Sequence, residues 1–150
     1  MNLTFYKCAF ITTSPEIPQG VTSMRDAFYE CTSLTTASLI ANSVTNMSDA
    51  FSRYTSLQKA PLLPNNATDI SNDFTGCGLL ITAPTIHKSV TKMKYAFSSC
   101  SALEGCIIIY ANPTTWTGCL YNTQITTIAG DTAMADDLML TKTSTTNPTA

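Results

Sequence analysis

Six cysteines and a single histidine are the residues of this chain best suited to hold a metal ion or act as nucleophiles. Successive cysteines are 23, 46, 23, 6 and 13 positions apart, and no Cys-x-x-Cys pair occurs. Structural zinc sites use closely spaced Cys and His ligands, so this spacing predicts no metal site and no cofactor. Disulfides Cys8–Cys31 and Cys77–Cys100 are compatible with partners one repeat apart. We favour free thiols, because Tyr54 replaces cysteine in the same series.

Nucleophilic catalysis needs a base beside a serine or cysteine and a carboxylate that orients the base. His87 stands next to Lys88 in a predicted surface turn, and the sequence has no Gly-x-Ser-x-Gly turn, phosphate loop or dinucleotide-binding fingerprint. The adjacent Asp136 and Asp137 are predicted to be solvated and do not form the separated pair of a glycosidase. The sequence therefore predicts no catalytic residues and a protein that is not an enzyme.

The cysteine spacing reflects a repeat of 23 residues along most of the chain. Positions one repeat apart carry similar residues, and a fixed period of this length is typical of a solenoid whose coils bury their apolar sides against each other. We predict that each such series points inward. The series are Met1, Met24, Met47, Ile70, Met93 and Trp116; Phe5, Phe28, Phe51, Phe74, Phe97 and Leu120; Ile11, Leu34, Leu57, Leu80 and Leu103; Ile17, Ile40, Leu63, Ile86 and Ile109; and the small Ser14, Ala37, Ala60, Ala83 and Cys106.

Two further series are not simply apolar. Threonine recurs at one turn position, where its hydroxyl is expected to satisfy a backbone group of its own or the adjacent coil. Cysteine recurs at another, where it is expected to act as a small buried hydrophobe and weak donor. These series are Thr22, Thr45, Thr68, Thr91 and Thr114, and Cys8, Cys31, Tyr54, Cys77 and Cys100.

Each coil is predicted to contain two elements. Residues 35–40 favour extended structure, and Pro15, Pro61 and Pro84 in one series predict a short, irregular strand. The Met-x-x-Ala-Phe-x-x-Cys segment has apolar residues three and four apart, which predicts a helical or 3₁₀ turn. One short parallel strand and one such turn per coil define an α/β repeat solenoid on a leucine-rich-repeat plan.

The pattern Val-Thr-x-Met-x-x-Ala-Phe-x-x-Cys-x-Ser-Leu, first seen at residues 21–34, resembles the BspA-like leucine-rich repeats of bacterial surface proteins and some phage proteins. The resemblance covers about residues 1–126 and implies a right-handed coil. Ala37 stands where a larger aliphatic residue is usual, so we expect a coil flatter than a standard horseshoe. The implied location is extracellular, at a cell surface or in a virion.

The solenoid is predicted to span residues 1–130, with a partial first coil at 1–20, repeats beginning at 21, 44, 67 and 90, and a degenerate repeat at 113–130. Residues 131–150 are predicted to form a capping helix, begun by Asp131 and covering the last coil with Met134, Leu138 and Met139, followed by a flexible tail. The uncapped first coil predicts an assembly edge that docks on another chain, a second copy or a longer array. Its residues are Met1, Leu3 and Phe5.

The composition of the chain limits the classes of partner that it is expected to bind. Charged residues are 12% of the chain and the net charge is −2, so we expect no nucleic-acid partner. No apolar run approaches the roughly 20 residues of a membrane span, and residues 1–7 lack the features of a signal peptide.

Binding is expected on the outward strand positions, which vary from coil to coil. They are Thr12, Thr35, Gln58, Ile81 and Glu104; Thr13, Thr36, Lys59, Thr82 and Gly105; and Pro15, Ser38, Pro61, Pro84 and Ile107. The candidate binding residues are Thr35, Thr36, Gln58, Lys59, Ile81, Thr82 and Glu104. The leading hypothesis is a non-catalytic recognition or adhesion module that binds a protein or glycan on a host or partner surface. The alternative is a structural subunit of a virion or surface appendage that assembles through the first coil.

Overall fold

A computed structural model describes residues 1–131, 133, 135–140 and 142. Its regular elements are two strands, β1 (Glu104–Ile108) and β2 (Gln124–Ala129), and one helix, α1 (Ala135–Leu140). The strands form a parallel two-stranded sheet whose register shifts between Gly105 and Cys106. In the preceding residues the strand pairing is reduced to isolated bridges.

These bridges join positions one repeat apart and all run parallel. They are Thr13↔Thr36, Ile17↔Ile40, Ser23↔Asn46, Asn46↔Asp69, Lys59↔Thr82, Asp69↔Lys92, Ile86↔Ile109 and Lys92↔Thr115. Consecutive repeats therefore lie side by side in register, as the period of the sequence predicts. The handedness of the coil and its curvature stay predictions.

The turn segment of each coil is also paired with its neighbour. In the segment that begins at Met24, alternate N–H groups donate to carbonyls of the next coil, from Met24 to Asn46 (2.8 Å), Asp26 to Ser48 (3.1 Å) and Phe28 to Ala50 (3.0 Å). The equivalent segments of later coils repeat this ladder. Its hydrogen bonds run between coils, whereas those of a helix run within the segment.

The predicted helical or 3₁₀ turn is therefore replaced by two consecutive β-turns. The Ala27 N–H donates to the Met24 carbonyl (2.9 Å), and the Cys31 N–H donates to the Phe28 carbonyl (3.1 Å). The third residue of each turn has a positive φ, 54° at Asp26 and 57° at Glu30, as type II turns require. Two four-residue turns in series reproduce the apolar spacing of three and four that the sequence analysis interpreted as helical.

Aromatic rings form the central column of the core. Phe5, Phe28, Phe51, Phe74 and Phe97 are stacked coil on coil, with consecutive centroids 5.1, 5.6, 5.7 and 5.4 Å apart and rings within 6° of parallel. The Met and Leu series are buried beside them from the second coil onward. The prediction that each apolar series contacts its own kind is confirmed for the Phe series by direct ring contact.

Two parts of the predicted strand differ from the expected orientation. Cys106, in the small inward series, is exposed, because the β1 register shifts immediately before it. Pro61, Pro84 and Ile107 were expected to face outward but are buried. The coils are bridged at residues such as Thr36 and are not continuous strands, so the strict two-residue alternation of a strand does not extend to these positions.

The threonine series satisfies backbone carbonyls, as predicted. Four of the five hydroxyls donate to the carbonyl of the equivalent threonine in the preceding coil, at 3.2 Å from Thr45 to Thr22, 3.1 Å from Thr68 to Thr45, 3.2 Å from Thr91 to Thr68 and 3.1 Å from Thr114 to Thr91.

The cysteine series also satisfies backbone carbonyls of a preceding coil. The six cysteines, all among the described residues, form no disulfide, and the thiols of Cys31, Cys77 and Cys100 donate to the carbonyls of Phe5 (2.9 Å), Phe51 (3.2 Å) and Phe74 (3.0 Å). Burial raises the pKa of Cys31 and Cys77, so these thiols keep the proton that they donate. The expectation of buried donor thiols is confirmed.

Helix α1 spans Ala135–Leu140, within the segment predicted to form the capping helix. Leu138 is fully buried and Met139 packs partly buried against the core, while the capping role of this segment stays a prediction. The Asn122 N–H donates to the Lys142 carbonyl (3.0 Å), which takes the place of a carbonyl from a further coil. Met134 and the predicted tail at 143–150 lie outside the described residues, and the division of the chain at residue 130 stays a prediction.

Asp73 is a buried polar residue in the apolar core. It occupies the position of Ala27, Ala50 and Ala96 and has no exposed surface. One carboxyl oxygen accepts the Phe51 N–H (3.3 Å), and the other has no hydrogen-bond partner among the described residues. Burial raises the pKa of Asp73 well above its ordinary value and so favours the neutral carboxyl in the folded protein.

We expect Asp73→Ala to stabilise the protein by roughly 1–3 kcal/mol, because it removes an unpaired buried group. The Phe51 N–H keeps its second acceptor, the Asp73 backbone carbonyl at 3.0 Å. In the unfolded chain the carboxyl ionises above about pH 4, whereas in the folded protein its raised pKa keeps the proton bound to a higher pH. Unfolding therefore releases a proton, and the original protein loses stability relative to the variant as the pH rises from 4 to the pKa of Asp73 in the folded protein.

Urea unfolding of both proteins between pH 4 and pH 8 measures this difference in stability, with Asp136→Ala as an exposed control. A free-energy difference that is independent of pH would contradict it.

Candidate functional site

The predicted binding residues lie on outward positions of adjacent coils. Thr35, Thr36, Gln58, Lys59, Ile81, Thr82 and Glu104 are all exposed. The backbone holds them in register, since the Ile81 N–H donates to the Gln58 carbonyl (3.0 Å) and Lys59 is bridged to Thr82. We call these seven residues the strand face. Their role in binding stays a prediction, but their exposure is as expected.

The chemistry of the strand face is polar and weakly charged. Lys59 and Glu104 are its charged residues, and the exposed Ile81 gives it one large apolar contact. The Thr35 hydroxyl donates to the Thr12 carbonyl (3.3 Å). Within the described residues, the side chains of Gln58 and Lys59 make no hydrogen bond, so they remain open to a partner.

The predicted assembly edge lies on the first coil. The N–H groups of Leu3, Phe5 and Lys7 donate to the second coil, at 3.2, 2.8 and 2.8 Å from the acceptor carbonyls. The intervening carbonyls of Asn2, Thr4 and Tyr6 correspond to carbonyls that accept from a preceding coil elsewhere in the stack. None of the described residues donates to them, so these acceptors line the outer face of the first coil.

Side chains on this edge are only partly covered. Leu3 is 56% exposed, while Met1 and Phe5 are half-buried and pack against the core. Phe10, also in the first coil, is 96% exposed and was not among the predicted residues of this edge. The sequence indicates this exposed ring by placing a large aromatic residue at a position where the next two coils have serine, Ser33 and Ser56.

A groove that the sequence analysis also missed lies beyond the strand face. It has a volume of about 700 Å³ and crosses the first four coils. Leu39 and Leu62, 74% and 71% exposed, stand on one side of it. The missed signal was an aliphatic residue immediately before the inward-pointing Ile40 and Leu63, where an outward residue is expected to be polar.

His87 lies at one end of this groove and also lines a second cavity of about 390 Å³. The other residues of the second cavity are Asn65, Lys88, Tyr110 and Asp131. The His87 carbonyl accepts the Val90 N–H (3.1 Å), which places the histidine at the start of the predicted turn. Among the described residues, no group of His, Cys, Asp or Glu side chains is arranged to hold a metal ion.

The stacked coils, their parallel ladders and their exposed outer positions define a protein of the leucine-rich-repeat class. A model of the BspA type leucine rich repeat region matches residues 2–80 and 26–135, with six copies, and the chain therefore belongs to this family. The resemblance inferred from the sequence is confirmed. No curated protein and no solved structure matches the chain.

The family carries general expectations about function. Leucine-rich repeats generally mediate protein interactions and are generally non-enzymatic, and the BspA type is typical of surface proteins. In the part of the chain that the structure describes, no helix has the length and apolar character needed to cross a membrane.

The exposure of Leu39 and Leu62 predicts that they contribute little to folding. We expect Leu39→Ser and Leu62→Ser each to change the free energy of unfolding by less than about 0.5 kcal/mol. Leu63→Ala, one position further and buried, should cost about 2–5 kcal/mol because it leaves a cavity. Chemical denaturation of the three variants checks this contrast. A large loss from either serine variant would show that its leucine is part of the core.

Proposed function

We propose that this protein is a non-catalytic recognition module of a bacterial surface or phage-encoded protein, and that it binds a protein or glycan through the strand face. The observation that carries the proposal is the register of exposed, dissimilar side chains on adjacent coils, such as Gln58, Lys59 and Ile81. Repeat proteins commonly bind through an extended surface of this kind.

The charge of the surface supports a protein or glycan partner. A polyanion would require several unpaired cations on one face, whereas the charged residues of the strand face are one cation, Lys59, and one anion, Glu104. Amide and hydroxyl groups with one aliphatic contact suit hydrogen-bonded recognition of an uncharged surface. The expected location, outside the cell or on a virion, belongs to this proposal.

Replacing Gln58 and Lys59 with alanine should abolish binding, because it removes the two longest open polar side chains of the strand face. Glycan arrays and pull-downs from extracellular and surface extracts measure binding by the original protein and the double variant. Lys94→Ala is the matched control, since Lys94 is exposed but lies in the turn segment. Binding that survives the double variant, or no binding to any glycan or extract, would overturn the proposal.

A second candidate function is assembly through the first coil. The observation that favours it is a row of carbonyls, beside the exposed Leu3, to which no described residue donates. An unpaired edge of this kind is able to extend its hydrogen bonding to another chain. Met1 and Phe5 supply apolar contact next to these carbonyls.

Leu3→Asp tests the assembly function without disturbing the turn, because Leu3 has a φ of 56° and aspartate tolerates this conformation better than leucine does. Assembly predicts that the original protein is oligomeric by light scattering and that Leu3→Asp reduces its mass to that of one chain. Phe5→Asp should act in the same direction but also weakens the stack on Phe28. An original protein that is already monomeric would count against assembly between copies.

A further inference from the structure

The groove beside the strand face has two chemically different walls. The aliphatic side chains of Leu39 and Leu62 form one wall, in adjacent coils. Gln19, Asn42 and Asn65, one repeat apart, line the other side. The positions between them carry short or compact residues, Pro18, Ala41 and Pro64, which leaves a channel along the stack.

The amide wall is partly fixed in place. The Asn42 side-chain oxygen accepts the Asn65 N–H (3.1 Å), and the Asn66 side-chain amide donates to the Asn42 carbonyl (2.9 Å). The Asn42 carboxamide therefore has its oxygen turned toward the next coil. Its NH₂ group makes no hydrogen bond among the described residues, so a donor is available on this side of the groove.

The ends of the groove carry opposite charges. Glu16 lines the groove in the first coil, and Lys88 lines the second cavity, which shares Asn65 and His87 with the other end of the groove. Both are exposed, and neither forms a salt bridge within the described residues. An occupant that follows the groove would meet a carboxylate at one end and an ammonium group at the other.

The groove spans three steps between coils, or roughly 14 Å at the ordinary spacing of hydrogen-bonded strands. An extended chain rises about 3.3 Å per residue, so the groove accommodates about four residues of extended peptide. Its volume of about 700 Å³ lies in the range of sites that bind small ligands and short segments.

We propose that this groove binds a short extended peptide segment of a partner protein, with aliphatic side chains against Leu39 and Leu62. Its main-chain carbonyls accept from the amide wall, and its acidic end lies at Lys88. This surface is separate from the strand face, and the proposal does not depend on binding there.

The same features disfavour other ligands. A nucleic acid would meet Glu16 and a single lysine, which provide no counter-charge for successive phosphates. A glycan would find an aliphatic wall without a row of aromatic rings. An extended peptide offers both kinds of contact, since every second side chain points to the same side, toward the leucines, and its main-chain carbonyls are acceptors for the carboxamide groups.

A heptapeptide phage-display library panned on the immobilised full chain tests the proposal. We expect enriched peptides to carry aliphatic residues at alternate positions and an acidic residue toward one end. The synthesised consensus peptide, titrated by calorimetry, should bind Leu39→Ser/Leu62→Ser at least about tenfold more weakly. Gln58→Ala/Lys59→Ala should bind it unchanged, which separates this result from that of the proposed strand-face function.

A charge exchange gives a stricter test of orientation. Lys88→Glu should weaken binding of the acidic peptide, and a peptide with lysine in place of its acidic residue should recover the lost affinity on this variant. A library without enriched binders, binders that are insensitive to the leucine changes, or binding lost only in the strand-face variant would each overturn the proposal. A glycan whose binding is lost in the leucine variant would replace the peptide as the occupant and also overturn it.

Discussion

Hydrogen bonding between coils is the constraint on which the rest of this structure depends. Residues of one turn segment are hydrogen-bonded to the next coil, as the Phe28 N–H is to the Ala50 carbonyl. This pairing fixes the register of the side chains in adjacent coils. Rings must then stack on rings, as Phe51 does on Phe74. Side-chain donors add to the same network, because the thiol of Cys77 reaches the carbonyl of Phe51 across a coil boundary. The 23-residue repeat in the sequence therefore corresponds to a repeat in backbone hydrogen bonding.

This pairing also explains which local irregularities are tolerated. Left-handed backbone at a residue such as Tyr95 or Arg53 is unfavourable by roughly 1–2 kcal/mol. It persists because the hydrogen bonds on both sides hold the turn in the conformation that its neighbours share. Asp73 is accommodated in the same way: the backbone register places it among alanine positions, although its carboxyl has to give up its charge there.

Much of the fold was predictable because each repeat gives independent information about the same position. Five phenylalanines at one spacing predicted a buried stack, and the rings are stacked. The type of turn in each coil was not predictable from the spacing of its apolar residues. Apolar residues three and four positions apart occur both in a helix and in two consecutive β-turns. Aspartate, asparagine or glycine stands at the position of Asp26 in several coils, which is a weak sequence signal for its positive φ. Leu3 and Tyr95, at the same position in other coils, obscure that signal. The seven strand-face positions were placed correctly on the outside, whereas Leu39 and Leu62 were missed, because sequence alone does not separate an exposed leucine from a buried one beside it.

The hydrogen bond from Asn122 to Lys142 bears on how such a stack avoids aggregation. A stack of paired coils presents, at its last coil, a row of donors suited to recruit foreign strands, and fibres grow by this kind of addition. Leu138 is buried, and the Lys142 carbonyl accepts the Asn122 N–H, so at least this one donor of the template is already bonded to the protein's own chain. A foreign strand that added to the last coil would have to displace the Lys142 carbonyl before it could pair with Asn122.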